Sequence, residues 1–177
     1  MRSYFEFAGQ TKILIATFFG VVVMLFVVFP ALPIGGPLID VLPGYTHSEV
    51  MAQMEVYGEE GRSVYAWASP TVDTLFPIIY VTFFAGVIYR FRLTEKLWVL
   101  AFIPVAAGFW DLCENAQITT MLIQYPDVSE SQANLASTFT VVKSNVFGPT
   151  YQLLAIFLLF IAGVKAMVAR FRSPSAS

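Results

Sequence analysis

The chain has 177 residues, 57% of them hydrophobic and only 12% charged, with a mean hydropathy of +0.69, where ordinary soluble domains carry about 25% charged residues. This composition predicts an all-α polytopic membrane protein: a four-transmembrane-helix bundle with a short amphipathic helix in its first outer loop. A net charge of −2 supplies no basic field for nucleic acid, and one cysteine (Cys113) and one histidine (His47) exclude an internal disulfide, Cys-rich metal centres and multi-histidine di-iron sites; no cofactor and no metal ligands are expected, with a carboxylate-only metal site left open.

The first span is the uncharged run 13–32, long enough for a hydrocarbon core of ~30 Å at ~1.5 Å per residue. It exceeds a signal-peptide core and precedes no small-x-small cleavage site, so it reads as a retained helix. Pro30, Pro33, Gly35, Gly36 and Pro37 end it. In the following loop, Thr46 and Glu49 fit a capping box. Val50, Met51, Met54 and Tyr57 then share one face, and Gly58 is placed to stop the short helix. Glu59, Glu60 and Arg62 lead toward the second span, 70–89, with Asp73 near its start and Pro77 one turn later. The third span is 97–125. The fourth, 136–168, is polar in its first half (Lys143, Ser144, Asn145, Thr150, Gln152) and apolar in its second, with a kink expected at Pro149. Residues 1–172 read as one transmembrane domain and 173–177 as a disordered tail.

Eight of the ten basic residues fall in the N-terminus, the loop 90–96 and the C-terminal segment, against only two acids, Glu6 and Glu95. The positive-inside rule therefore predicts both termini in the cytoplasm.

Charge inside a span is expensive, which makes it a functional-site hypothesis by default. The third span is interrupted by Asp111, Glu114 and Asn115, at i, i+3 and i+4 on one helix face. Counted along the helices, Asp111 lies ~21 Å from the inner surface, Asp73 ~24 Å and Lys143 ~33 Å, the last near the outer interface. Three spans thus bring polar groups into the outer half of the membrane. Two carboxylates on adjacent turns repel each other in a low dielectric and need a proton or a counter-charge; Lys143 and Arg62 are the candidates. Asp111, Glu114 and Asp73 are the candidate catalytic groups, able to bind a cation or transfer a proton. Asn115, Tyr80, Lys143, Arg62, Trp110 and Asp40 are the candidate substrate contacts, with Phe76, Phe83, Phe84 and Phe109 as further apolar lining. Each also has a plain structural reading: a helix-locking ion pair for Asp111 and Glu114, a helix-start residue for Asp73, an interface aromatic for Tyr80, a snorkelling lysine for Lys143.

With its long loop after the first span, Asp40-Val41-Leu42-Pro43 and Asp73-Thr74-Leu75-Phe76-Pro77, the chain resembles the EXPERA superfamily, which includes sterol isomerases and the sigma-2 receptor. Those are four-helix membrane proteins with one acid after helix one and another early in helix two. The second acid here is Asp where Glu is usual, and Asp111-Leu112-Cys113-Glu114-Asn115 is outside that pattern. The chain also resembles small bacterial four-helix membrane proteins with an Asp-x-x-Glu-Asn signature, of no known activity. Three functions are expected from these features. The first is an outward-facing polar cavity that binds a lipid-like, isoprenoid or sterol-like amphiphile, with isomerisation or another conversion by the carboxylates as its catalytic extension. The second is a non-catalytic accessory or structural subunit of a membrane complex. The third is a small cation-selective transport component, drawn from ten acids against two bases on the outer side. Whether the protein is an enzyme, which protein partners it has and which ligand it takes stay open; the lipid bilayer is its expected surroundings.

Overall fold

The computed structural model describes residues 1–172, with side chains to residue 171; the tail 173–177 lies outside the described residues. Every regular element among them is helical: α1 (Arg2–Ala8), α2 (Thr11–Val23), α3 (His47–Ala68), α4 (Thr74–Arg90), α5 (Phe102–Gln124), α6 (Glu130–Val142) and α7 (Gly148–Arg172). Joined through intervening tight and wide turns, they give four continuous helical rods long and apolar enough to cross a membrane: Thr11–Ala31, His47–Arg90, Glu95–Gln124 and Glu130–Phe171.

The expected amphipathic helix is present, but it is not separate. Thr46 caps α3 through the predicted box, with Thr46 N–H donating to Glu49 Oε2 at 2.7 Å and Glu49 N–H to Thr46 Oγ1 at 3.3 Å. Val50, Met54 and Tyr57 are buried on its inner face. Gly58 takes a left-handed conformation (φ 64°, ψ −176°) that kinks the rod. The helix resumes at once and runs into the second span, so Gly58 bends the chain where it was expected to stop it. Replacing Thr46 with alanine is expected to cost about 1 kcal/mol, read from thermal unfolding of the purified protein.

Three rods contain a wide i→i+5 turn, at Met24–Val28, Ser69–Asp73 and Lys143–Phe147. A proline accompanies each of the three, Pro30 standing two residues beyond the first. Pro70 lies within the second turn and Pro149 just beyond the third; each lacks the N–H that would close an ordinary helical turn, and its ring crowds the carbonyl four residues back. The kink expected at Pro149 is therefore spread over the preceding turn.

Residues 2–8, read from the sequence only as a basic flank, form a helix that docks across α4. Phe5 and Ala8 are fully buried, with Phe5 edge-on to Phe102 at 5.0 Å between ring centroids. Arg90 donates to Gly9 O at 3.2 Å and Thr11 Oγ1 at 2.8 Å, tying the hinge down. The approach is possible because residue 86 is glycine: a Cβ there would stand 2.4 Å from the carbonyl oxygen of Ala8. Gly86→Ala is expected to lift α1 at a cost of about 1–3 kcal/mol, seen as faster hydrogen exchange confined to residues 2–10.

Two apolar clusters fill the bundle. One lies at the end holding the loop 33–45 and joins Ile39, Val50, Met54, Tyr65, Ile118, Met121, Ala133 and Ala136. The other lies at the end holding α1 and joins Phe5, Tyr80, Val81, Ala85, Ile88, Ala107, Tyr151 and Ala155. Each of the last three rods contributes to both clusters and is polar in between.

Candidate functional site

Between the clusters every rod but the first turns polar at the same level. The second supplies Ser69 and Asp73 from its wide turn. The third supplies Asp111, Glu114 and Asn115, and the fourth Thr140 with Lys143 at the start of its own wide turn. Except for Lys143, which is mostly buried, these residues are at most 5% exposed.

Lys143 and Thr140 stand at i and i−3 on the fourth rod, as Glu114 and Asp111 stand at i and i−3 on the third, so the two pairs meet face to face. Lys143 Nζ lies 3.1 Å from Asp111 Oδ1 and in contact with Glu114 Oε2. Thr140 Oγ1 donates to Glu114 Oε1 at 2.6 Å. One ammonium therefore bridges both carboxylates. Above Thr140, the loop residue Tyr45 is anchored by its N–H to Ser137 Oγ at 2.9 Å; burial pushes its phenol above the ordinary range.

A cavity of about 530 Å³ opens beside this layer. Val21, Leu25 and Phe29 of the first rod form one wall, and Phe76, Tyr80 and Phe84 of α4 form the back. Tyr151 of α7 stacks on Tyr80 with centroids 5.8 Å apart and planes at 12°. The polar lining is Asp40, Asp73, Asp111 and Lys143, with Ser144 and Gln152 at the fourth rod. Asp40 is held over the cavity by Tyr65, whose buried hydroxyl accepts from Ile39 N–H at 3.2 Å and donates to Asp40 Oδ1 at 2.8 Å. Helix α2 packs along α4, and α7 packs along α4 and α5; α2 and α7 are not among the closely packed pairs. The cavity lies between those two.

Asp40, Asp73, Tyr80, Asp111 and Lys143 thus come together on one cavity, as do Phe76 and Phe84. Glu114 and Asn115 sit behind Asp111, sealed from solvent. Trp110 does not join them: its indole N–H donates to Phe139 O at 3.1 Å and its ring packs on Phe139 and Phe147. Arg62 stays on α3, donating to Met54 O at 2.9 Å with its guanidinium 4.0 Å above the Tyr125 ring, so Lys143 is the counter-charge. Phe109 is 67% exposed on the opposite face, and Phe83 packs on Phe18 and Phe84.

Lys143 stands level with Asp111 and Glu114, where the count from Lys165 put it beyond them. Residues 163–171 are exposed on every side, so α7 runs past the packed bundle and the count began too far out. Thr140, Ser69 and Tyr65 were missed. Thr140 had a signal, its i−3 spacing from Lys143; Ser69 and Tyr65 look like ordinary helix residues until the rods are packed.

Comparison with family models, characterised proteins and solved structures gives no match to this chain.

Proposed function

We propose that this is a multi-pass membrane protein, with both termini cytoplasmic and in bacteria the inner membrane as its site, that binds a lipid-like amphiphile in an outward-facing cavity. The observation that carries the reading is the make-up of the cavity. Aliphatic and aromatic walls meet a polar floor of three carboxyls and one ammonium, which matches a molecule with an apolar body and a polar head. Access from the side, between α2 and α7, suits a ligand that arrives dissolved in the bilayer. Asp111 is committed to Lys143 and Asp40 to Tyr65. Asp73 is committed to nothing and is the group left to bind the head or exchange a proton with it; any conversion of the ligand starts there. Conduction is disfavoured because the aromatic and aliphatic cluster from Phe5 to Tyr151 fills the bundle below the cavity.

Native mass spectrometry of gently extracted protein tests the reading. A lipid-like mass should remain bound to the wild type and be absent from Leu25→Trp, which fills the cavity mouth. Protein that is bare in both, or equally loaded in both, rules the reading out.

A further inference from the structure

We propose that the crossing of the second and third spans is a binding site for a monovalent metal cation of the Na+ type, held by oxygens of Asp73, Asn115 and Ser69. Ser69 Oγ donates to Asn115 O at 3.2 Å, which fixes the wide turn of the second rod against α5 at this level. The two rods are antiparallel, and helical side chains lean toward the N-terminus of their own helix. Asp73, one turn beyond Ser69, therefore leans back toward Ser69. Asn115, opposite Ser69, leans toward Asp73. By that lean both side chains are directed toward the stretch between Ser69 and Asp73.

Polar atoms of these residues are unmatched. Asp73 Oδ2 and both amide atoms of Asn115 are buried without a hydrogen-bond partner, in residues 5% and 2% exposed. Thr119 Oγ1, one turn beyond Asn115 on the same helix, is a fourth such atom. Ser69 Oγ has spent its proton on Asn115 O and keeps lone pairs. Buried polar atoms are nearly always satisfied, and the oxygens of this set are acceptors that one cation would satisfy together, the Asn115 NH2 being a donor and no ligand. The set is a carboxylate, an amide carbonyl and hydroxyls, all hard oxygens. Among the described residues no three His, Cys, Asp or Glu side chains are placed so that they could hold a metal ion together, which disfavours a divalent or transition metal. One uncommitted carboxylate balances one positive charge. A break in a membrane helix is also where main-chain geometry opens to cations. Asp73 then has two parts to play: the residue lines the cavity, while its Oδ2 is buried without a partner.

The test is thermal unfolding of the purified full-length protein in detergent, in chloride salts of sodium, potassium or N-methylglucamine at constant ionic strength. Sodium should raise Tm saturably at first and then by about 3 °C for each tenfold increase above its Kd, with N-methylglucamine inert. Asn115→Leu should abolish the response, Asn115→Asp should keep it, and Ser69→Ala should move its midpoint at least tenfold higher. The same Tm in all three salts overturns the proposal and leaves a bridging water in its place; so does a sodium response undiminished in both Asn115→Leu and Ser69→Ala. No lipid enters the readout, so failure of the amphiphile reading leaves this result unaffected.

Discussion

Lys143→Met is expected to lower stability by about 3–5 kcal/mol, because it leaves Asp111 and Glu114 buried one turn apart without a counter-charge. For a chain of this size that corresponds to a drop in Tm of roughly 10 °C. Methionine preserves the length and apolar stem of lysine, so lost packing contributes little. The companion triple variant, Lys143→Met with Asp111→Asn and Glu114→Gln, removes all three charges and should recover most of the loss. The recovery separates charge from shape: without it, the lysine stem and not the ammonium would be holding the fourth rod to the third. A Lys143→Met protein that unfolds with the wild type would show that the ion pair is not structural at all.

Asp73→Asn is expected to do the opposite. Asp73 makes no ion pair and no hydrogen bond that the fold would lose, and one of its oxygens is buried without a partner. Removing an uncompensated buried carboxyl should leave Tm in sodium-free buffer unchanged or raise it, since such a group costs about 1–3 kcal/mol. Retention of the bound amphiphile should nevertheless fall at least tenfold. A residue that weakens the fold while supporting binding is what a functional position looks like energetically. Destabilisation by Asp73→Asn in that buffer, with ligand retention intact, would make Asp73 a structural residue and remove the head-group contact from the proposal. Asn115→Leu separates the two roles of Asp73, because it should lose the sodium response and keep the amphiphile.

The contrast between the paired carboxyls, Asp111 and Glu114, and the unpaired Asp73 was partly legible in the residue order. The third span displays Asp111, Glu114 and Asn115 at helical spacing, and Lys143 is one of two basic residues on the side where a partner was needed. The choice between Lys143 and Arg62 was not legible. It depends on the bend at the wide turn Lys143–Phe147 and on how far α7 overshoots the bundle, neither of which a residue count includes. Trp110 shows the same limit. It adjoins Asp111 in sequence, yet one residue is a rotation of about 100° on a helix, enough to turn its ring away from the cavity and onto Phe139. The docking of α1 was hidden for a different reason: seven residues with two charges look like a soluble flank, and only Gly86 on a distant helix creates the seat for Ala8.

Residue order alone was enough for the four long apolar segments, the capping box at Thr46 and the presence of polar groups in three of the spans. Those properties are local: hydropathy adds residue by residue, and a cap needs only four consecutive positions. Packing was needed to pair Lys143 with Asp111 and Glu114, to hang Asp40 on Tyr65, to bury Asp73 and Asn115 with polar atoms unpartnered, and to open a cavity between α2 and α7. Those depend on the rotation, tilt and bending of whole rods. Small departures from ideal helical geometry accumulate over twenty or more residues, and a side chain's neighbour changes with a fraction of a turn.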